Sequence, residues 1–562
     1  MGAAPRRGFT EIIYRSRADR SSMSIANAAT APLLTRSSQE AGPAKERPSI
    51  DDVIEKCMGA TGVLQLLKAV FVAFAWALDA QQVFISAFTD AEPRWHCLAA
   101  SSTTSGATTS PCALPPGSWA WDRPATASVV SEWALGCTGG PALVSLPASS
   151  FFAGCLAGGF LLATLADSLG RKKMLVASLA SMSVAGALTA LAPNVWAYAA
   201  LRFVSGFSRS MVGTCALVLS TELVGKSRRG TVSMASFLCF ALGFLSLPAI
   251  AYALRDDASW RDMYLWTNLP CLCYSVLVGF LVQESPRWLL VRGRKQDAVE
   301  ALRRLNYRRS RTTAAAGFSM AMLVELDDAA CAGTRSTTGA LRAMWERPWA
   351  MRRLAAIMAA SFGVGMVYYG MPLNVGSLLD DGSDSDSDLY LSVAYNALAE
   401  VPSAVLAWVL IGRADRRGSV VALAAAAGAC SLACAAIPPR ARMGAEVVSF
   451  FTSCTALDVV LVYATELFPT SVRNSAVGLV RQALVMGGTS APVLIALGRE
   501  RGSFWSFGVF GVAIGCSGLF VTCLPETRGK SMSDTMDEEE EERNQHAAAA
   551  AGCTTDSDSG IV

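Results

Sequence analysis

The sequence predicts an all-α polytopic membrane protein, twelve transmembrane helices in two six-helix halves. Three observations carry this. The 562 residues are 52% hydrophobic and only 17% charged, and apolar runs of about 20 residues, the length that crosses a bilayer, recur along the chain. These runs fall into two groups of six around a basic polar segment, 284–352. Short polar signals also recur between the two groups in one order at a nearly constant offset.

Taken in order, residues 1–62 hold an N-terminal tail and a lead-in helix. The first 47 residues carry eight Arg or Lys against four acids and no apolar run long enough for a signal sequence. They read as a cytosolic tail. An Arg- and Ser-rich start also fits a transit peptide, against which Glu11 and Asp19 argue. Ser49 to Asp52 fits a helix start, a Ser with an acid three residues on. The N-terminal half spans 63–283, with its first run from Leu64 to Phe88. A segment rich in Ser, Thr, Gly and Pro follows, 89–145, with two cations and the cysteines Cys97, Cys112 and Cys137. Few cations and several cysteines place it on an extracytosolic, oxidising face. Three is odd, so one disulfide with a free thiol, or an intermolecular bridge, is expected. Runs at Leu146 to Ala166, Met174 to Ala192, 197–222, 232–253 and 263–283 complete the half.

The linker 284–352 carries thirteen Arg or Lys, and its first part, Glu284 to Arg311, has helix formers and no Pro after Pro286. The C-terminal half, 353–524, repeats the six runs. Residues 525–562 form an acidic tail, expected to be solvated. Counting cations in short loops gives ten on the N-terminal side of the membrane against six on the other. Both termini are therefore expected in the cytosol.

The repeat has three parts. Asp167-Ser168-Leu169-Gly170-Arg171-Lys172-Lys173 returns 248 residues later as Asp415-Arg416-Arg417-Gly418. Thr221-Glu222-Leu223 with Arg229 returns at an offset of 244 as Thr465-Glu466-Leu467 with Arg473. Glu284-Ser285-Pro286-Arg287 returns more loosely as Glu526-Thr527-Arg528. These follow the second, fourth and sixth helix of each half. Two six-helix parallel repeats are the plan of alternating-access carriers, whose site lies between the halves near mid-membrane.

The Asp167–Lys173 stretch resembles the loop motif of the major facilitator superfamily. Ala163 stands where a Gly is usual and Ser168 where a base is usual; in the second copy Ser419 follows Gly418 where an Arg is usual. Within the superfamily, Leu78-Asp79-Ala80-Gln81-Gln82, Thr89-Asp90-Ala91-Glu92-Pro93, Ser220 to Lys226 and Glu466 to Asn474 resemble the organic ion transporters, most of all the plant organic cation/carnitine transporters. The resemblance implies a secondary carrier or facilitator for a small organic cation or zwitterion, of the carnitine, choline or polyamine type. H+ or Na+ is the coupling ion it allows, and the plasma or vacuolar membrane its place. In animal members an acid on the eleventh helix goes with cations and a base with anions or zwitterions. That position is Val485 here, with Arg481 one turn earlier.

Ionisable residues inside spans cost about 2.5–3.5 kcal/mol each at mid-helix, so they point to the transport site. Arg209 and Glu400 lie deepest and are the first substrate candidates. Asp458 and Arg481, on consecutive helices, can pair with each other or meet substrate. Tyr368 and Tyr369, with Trp76, offer aromatic faces to a quaternary ammonium or pack as ordinary core. Asp79, in the outer half of the first helix, is the candidate for proton coupling. Arg202, close to its helix end, reads as a snorkelling cation. At the cytosolic helix ends, Asp167 and Asp415 oppose the positive end of a helix dipole, and Gly170 supplies the turn. Arg171, Arg229, Arg417 and Arg473 are placed to pair with Glu222 or Glu466, so this set reads as a cytosolic gate made in one state of the carrier.

The remaining classes have little support. A proton-coupled sugar carrier shares the loop motifs, yet the fifth and seventh helices contain no Gln and only Asn374 at the end of the seventh. A sensor of carrier shape is compatible with the long linker. No Gly-x-Ser-x-Gly elbow, zinc-protease motif or phosphate loop points to an enzyme. Two histidines, His96 and His546, and sixteen cysteines without a CxxC pair predict neither a metal site nor another cofactor. Nucleic-acid binding has no support.

Overall fold

The computed structural model describes residues 62–98, 112, 114–115, 117–255, 259–305, 342–378, 387–469, 471–501, 505–528, 535–541 and 543–545. The expectations for the N-terminal tail, the Ser49 helix start and the end of the acidic tail lie outside these residues, as does the side chain of Asp167.

Eleven helices among the described residues are long and apolar enough to cross a membrane. In chain order the helices of the first half are α1 (Val63–Thr89), α2 (Gly140–Leu169), α3 (Arg171–Thr189), α4 (Val195–Glu222), α5 (Lys226–Ala253) and α6 (Trp260–Leu281). Those of the second are α7 (Pro348–Asn374), α8 (Ser387–Arg413), α9 (Arg416–Ala436), α10 (Pro439–Glu466), α11 (Arg473–Arg501) and α12 (Trp505–Leu519). α3, whose first turn is Arg-Lys-Lys, is the one outside the eleven spans. The predicted loop at 167–173 is tighter than expected: α2 runs to Leu169, α3 starts at Arg171, and Gly170 alone makes the turn. Its φ of +101° is open to glycine, and a Cβ there would meet the Glu284 carboxylate at 2.5 Å.

Within the first half α1 packs on α5, and within the second α7 packs on α11; α2 meets α11 and α5 meets α8 across the two halves. The equivalent contacts use equivalent small residues. A Cβ on Gly243 of α5 would lie 2.1 Å from the Ala77 carbonyl oxygen of α1, and one on Gly487 of α11 would lie 2.2 Å from that of Phe362 of α7. Their separation of 244 residues is the offset of the Thr-Glu-Leu repeat. Small residues that let backbones approach are how apolar helices associate where burial from water supplies no force.

The segment after α1 is more ordered than a loop. Strands β1 (Trp95–Cys97) and β2 (Trp119–Trp121) pair antiparallel, with His96 opposite Ala120. Cys112 and Cys137 form the disulfide, and Cys97 is free and exposed. In the linker the expected helix is broken in two, Pro286–Val291 and Lys295–Leu305, at Gly293 with φ +71°. The acidic tail is not simply solvated. Glu539 accepts from Arg353 at 2.7 Å and Glu540 pairs with Arg347 at 3.1 Å, which lays this stretch against the start of α7.

Candidate functional site

A cavity of about 1000 Å³ lies between the halves, lined by α1, α2, α4 and α5 from one and α7, α8, α10 and α11 from the other. It extends to Arg171, Thr465 and Arg473, so it opens at the face carrying the repeated loops. The other end is closed around Tyr390 at the start of α8. Its ring stacks on Phe88 at 5.9 Å, meets Tyr252 edge-on at 5.9 Å, and its hydroxyl accepts from Arg123 at 2.8 Å. All three partners belong to the first half.

The deep ionisable residues do converge on this cavity, in combinations the sequence did not supply. Arg209 of α4 and Asp79 of α1 form a two-pronged pair, Nε to Oδ1 at 2.9 Å and Nη2 to Oδ2 at 2.8 Å. With side chains 12% and 2% exposed, the pair satisfies and neutralises both groups. Arg481 donates to Thr214 Oγ1 at 3.1 Å, across the halves, and of the two alternatives for it the pairing with Asp458 is not made among the described residues. Asp458 lines the cavity with no ion pair among the described residues. Glu400 accepts from the Tyr368 hydroxyl at 2.8 Å through Oε1, and its Oε2 has no donor among the described residues.

The aromatic candidates line the cavity and are also packed in the core. Tyr368 and Tyr369 line the cavity, yet each is also packed, Tyr368 stacked on Phe450 at 5.7 Å and Tyr369 against Phe152 at 4.8 Å. Trp76 lies on the same cavity with Phe237 and Phe240 at its edges, both at 5.8 Å. Val485 lines it as well. Arg202 does not snorkel: it is 0% exposed, its guanidinium stacks on Phe151 at 4.2 Å and donates to Ser86 at 3.0 Å. Beside it Tyr198 donates to Asp90 at 2.6 Å, so this polar cluster is internal to the closed end.

At the open face, the carboxylates on the helix starts are not those next to them in sequence. Asp415 precedes α9 but makes no side-chain cap; it is exposed and pairs with Arg528 at 3.6 Å. Glu526 takes the place, accepting the first backbone N–H groups of α9 from Arg416 and Arg417, each at 3.0 Å. Burial pushes its carboxyl up, but the backbone donors from Arg416, Arg528, Arg417 and Thr527 outweigh this and hold it below the ordinary range. Glu284 does the same in the first half, accepting from the Lys172 N–H of α3 at 2.8 Å. Glu466 pairs with Arg416 at 3.1 Å, not with Arg473, whose Nε donates to the Phe468 carbonyl at 3.3 Å. Arg417 reaches the Leu524 carbonyl at 3.4 Å. Glu222 lies in the field of Arg171, Arg287 and Arg229.

One buried acid was missed altogether. Glu446 of α10 is 0% exposed, and both its oxygens face Asn396 Nδ2 of α8, at 3.1 and 3.2 Å. It stands near the end of a predicted span, where an acid draws no notice, and its partner carries no charge.

The family model for the sugar (and other) transporters matches residues 102–537. The chain belongs to that family. It is a multi-pass membrane transporter of the major facilitator type, not an enzyme. Organic cation/carnitine transporter 2 of Arabidopsis thaliana is 45% identical to it over 522 residues, 91% of this chain and 96% of the relative. Organic cation/carnitine transporter 3 of the same plant is 45% identical over 516 residues. Solute carrier family 22 member 15 of Xenopus tropicalis is 30% identical, covering 86% of this chain and 89% of the relative. Among solved structures, the xylose transporter XylE of E. coli in a partially occluded inward-open conformation matches with a TM-score of 0.58 at 15% identity, covering 84% of this transporter and 99% of XylE. That likeness is one of fold.

Proposed function

We propose that this transporter carries small organic cations or zwitterions, of the carnitine, choline or polyamine type, by alternating access. The observation that carries the reading is Glu400: a carboxylate in the cavity wall with one oxygen on Tyr368 and the other lacking a donor among the described residues. Asp458 on α10 adds a second acid without a cation, and the tyrosine rings give an ammonium an aromatic face. Arg481, whose hydrogen-bond partner among the described residues is the uncharged Thr214, is the base available to a substrate carboxylate, while Arg209 is taken up by Asp79. A zwitterion then finds both partners in one cavity. The names of the plant relatives support the same substrate class.

The basic loops support an open face on the cytosolic side, with both termini there and 89–145 outside; the membrane in this reading is the plasma or vacuolar membrane. The structure is then the inward-facing form. The coupling ion is H+ or Na+, and protonation of Asp79 would release Arg209. The loop networks, intact while the cavity is open at their face, act mainly as clamps within each half. The halves so bounded are 63–283 and 353–524.

Uptake of radiolabelled carnitine, choline, polyamine and hexose into proteoliposomes, with and without a pH gradient and a potential, tests the reading. Saturable carnitine or choline uptake is expected. Saturable hexose uptake alone overturns it, and the cavity argues against that outcome, since Gln482 and Asn474 are the amides among its lining residues. Ligand binding without flux of any solute would make the protein a sensor.

A further inference from the structure

Glu446 is the buried acid that neither the cavity nor the loop networks use. Every other strongly buried carboxylate described above has a cation, a set of backbone donors or the cavity beside it. Glu446 has one amide. Its surroundings can be taken element by element. α8 brings Asn396, which is neutral; α9 brings the Cys434 thiol; on its own helix, Arg442 donates to the Ile437 carbonyl at 3.0 Å. No ion pair to Glu446 forms among the described residues from α7, α11 or elsewhere. A carboxylate left in such a place without a counter-charge costs several kcal/mol, so the neutral acid is the form that fits.

A second observation points the same way. Asn396 Oδ1 is buried and has no donor among the described residues. An ionised Glu446 can only accept, and so leaves that oxygen unsatisfied. A protonated Glu446 adds the one O–H donor this pair lacks, and a carboxylic acid and an amide are then mutually complementary. The site therefore needs a proton to complete its hydrogen bonding.

The pair also has a mechanical position. It pins α8 to α10, the helices that bear Glu400 and Asp458. Asn396 precedes Glu400 by four residues, so the two share a face of α8 one turn apart. Glu446 is the eighth residue of α10, about 10 Å along it from its start at Pro439.

We propose that Glu446 is a proton-binding site that sets the balance between the two forms of the carrier. The form open at the loop face holds Glu446 as the neutral acid against Asn396. When the opposite face opens and α8 parts from α10, the O–H proton passes to water and the carboxylate is hydrated; closing that face requires a proton to be taken back. Because the form described here binds the proton more tightly, acid favours it, by up to about tenfold per pH unit for a single proton. The inference rests on the alternating-access reading but not on the substrate.

The test uses the full chain in lipid nanodiscs, without substrate, with bioorthogonal fluorophores at the exposed positions Trp196 and Leu391 on the closed face. Energy transfer between them, read from about pH 5 to pH 9, the range over which buried Glu residues titrate, reports whether that face is shut. The wild type is expected to shift toward the closed distance as pH falls, and Glu446→Gln, a permanent mimic of the neutral acid, to stay closed throughout. A Glu446→Gln protein that keeps the wild-type pH response overturns the proposal, as does a wild type with no response. Should Glu446→Gln fail to fold, Asn396→Ala serves: it must move the midpoint of the response, and an unmoved midpoint overturns the proposal equally. A normal pH response with no flux in the uptake assay would sink the carrier reading and leave the proton site standing.

Discussion

The two halves share a repeat yet hold their buried acids on opposite terms. In the first, Asp79 is matched by both prongs of Arg209. In the second, Glu400, Asp458 and Glu446 have no cation among the described residues. The first half is electrostatically closed on itself, and the second has negative charge, or protons, to spare. A carrier for a cation needs that asymmetry. Two self-neutralised halves would give an ammonium nothing to displace water for, and two unpaired ones would be costly to fold.

The comparison breaks most sharply at Arg209. Arg209→Ala leaves Asp79 buried and unpaired, and a loss of about 3–5 kcal/mol is expected, seen as a large drop in melting temperature and in folded yield. Combining Asp79→Asn with Arg209→Gln should recover most of that stability. If Arg209→Ala folds as well as the wild type, the pair is not what closes the first half.

In the second half the corresponding change is expected to spare the fold and strike transport. Glu400→Gln keeps the Tyr368 hydrogen bond but removes the charge, at about 2–3 kcal/mol for the lost charge-assisted contact. That predicts a fall of roughly 30- to 150-fold in choline uptake, with carnitine, which also has Arg481, falling less. Equal losses for both would make Glu400 structural. Arg481→Gln should do the reverse, lowering carnitine uptake by about tenfold while leaving choline near the wild type.

How much of this was legible depended on distance along the chain. Apolar runs and loop charge are local signals, so the twelve helices and the two halves could be read. The residues of the cavity could be read too, because an ionisable group in a span is conspicuous. Their pairings could not. Asp79 and Arg209 lie 130 residues apart, and nothing in either neighbourhood names the other, so one was assigned to coupling and the other to substrate. Proximity in sequence allows Asp458 and Arg481 to pair or to meet substrate, and does not show that Arg481 crosses to Thr214 in the other half. Asn396 and Glu446 carried no signal of this kind, since a neutral amide and an acid near a helix end are both ordinary.

The smallest effects separate sequence adjacency from contact at the loop face. Asp415 adjoins α9, as the repeated motif stresses, but it is exposed, and Asp415→Asn should change stability by no more than about 1 kcal/mol, the worth of a surface pair. Glu526, 109 residues away from the Arg417 N–H it accepts, should matter more: Glu526→Gln removes a charged cap, at about 1–2 kcal/mol. The pH dependence gives the sign. Its carboxyl is held below the ordinary range in the folded protein, so its contribution is complete above the unfolded value, near pH 4.3, and fades as pH falls through the folded one. Melting temperatures of wild type and Glu526→Gln should therefore differ at neutral pH and converge in acid, while Asp415→Asn tracks the wild type throughout. Were Asp415→Asn the more damaging change, the caps at this face would follow the motif after all, and the two halves would be clamped by their loops and not by the segments that follow α6 and α12.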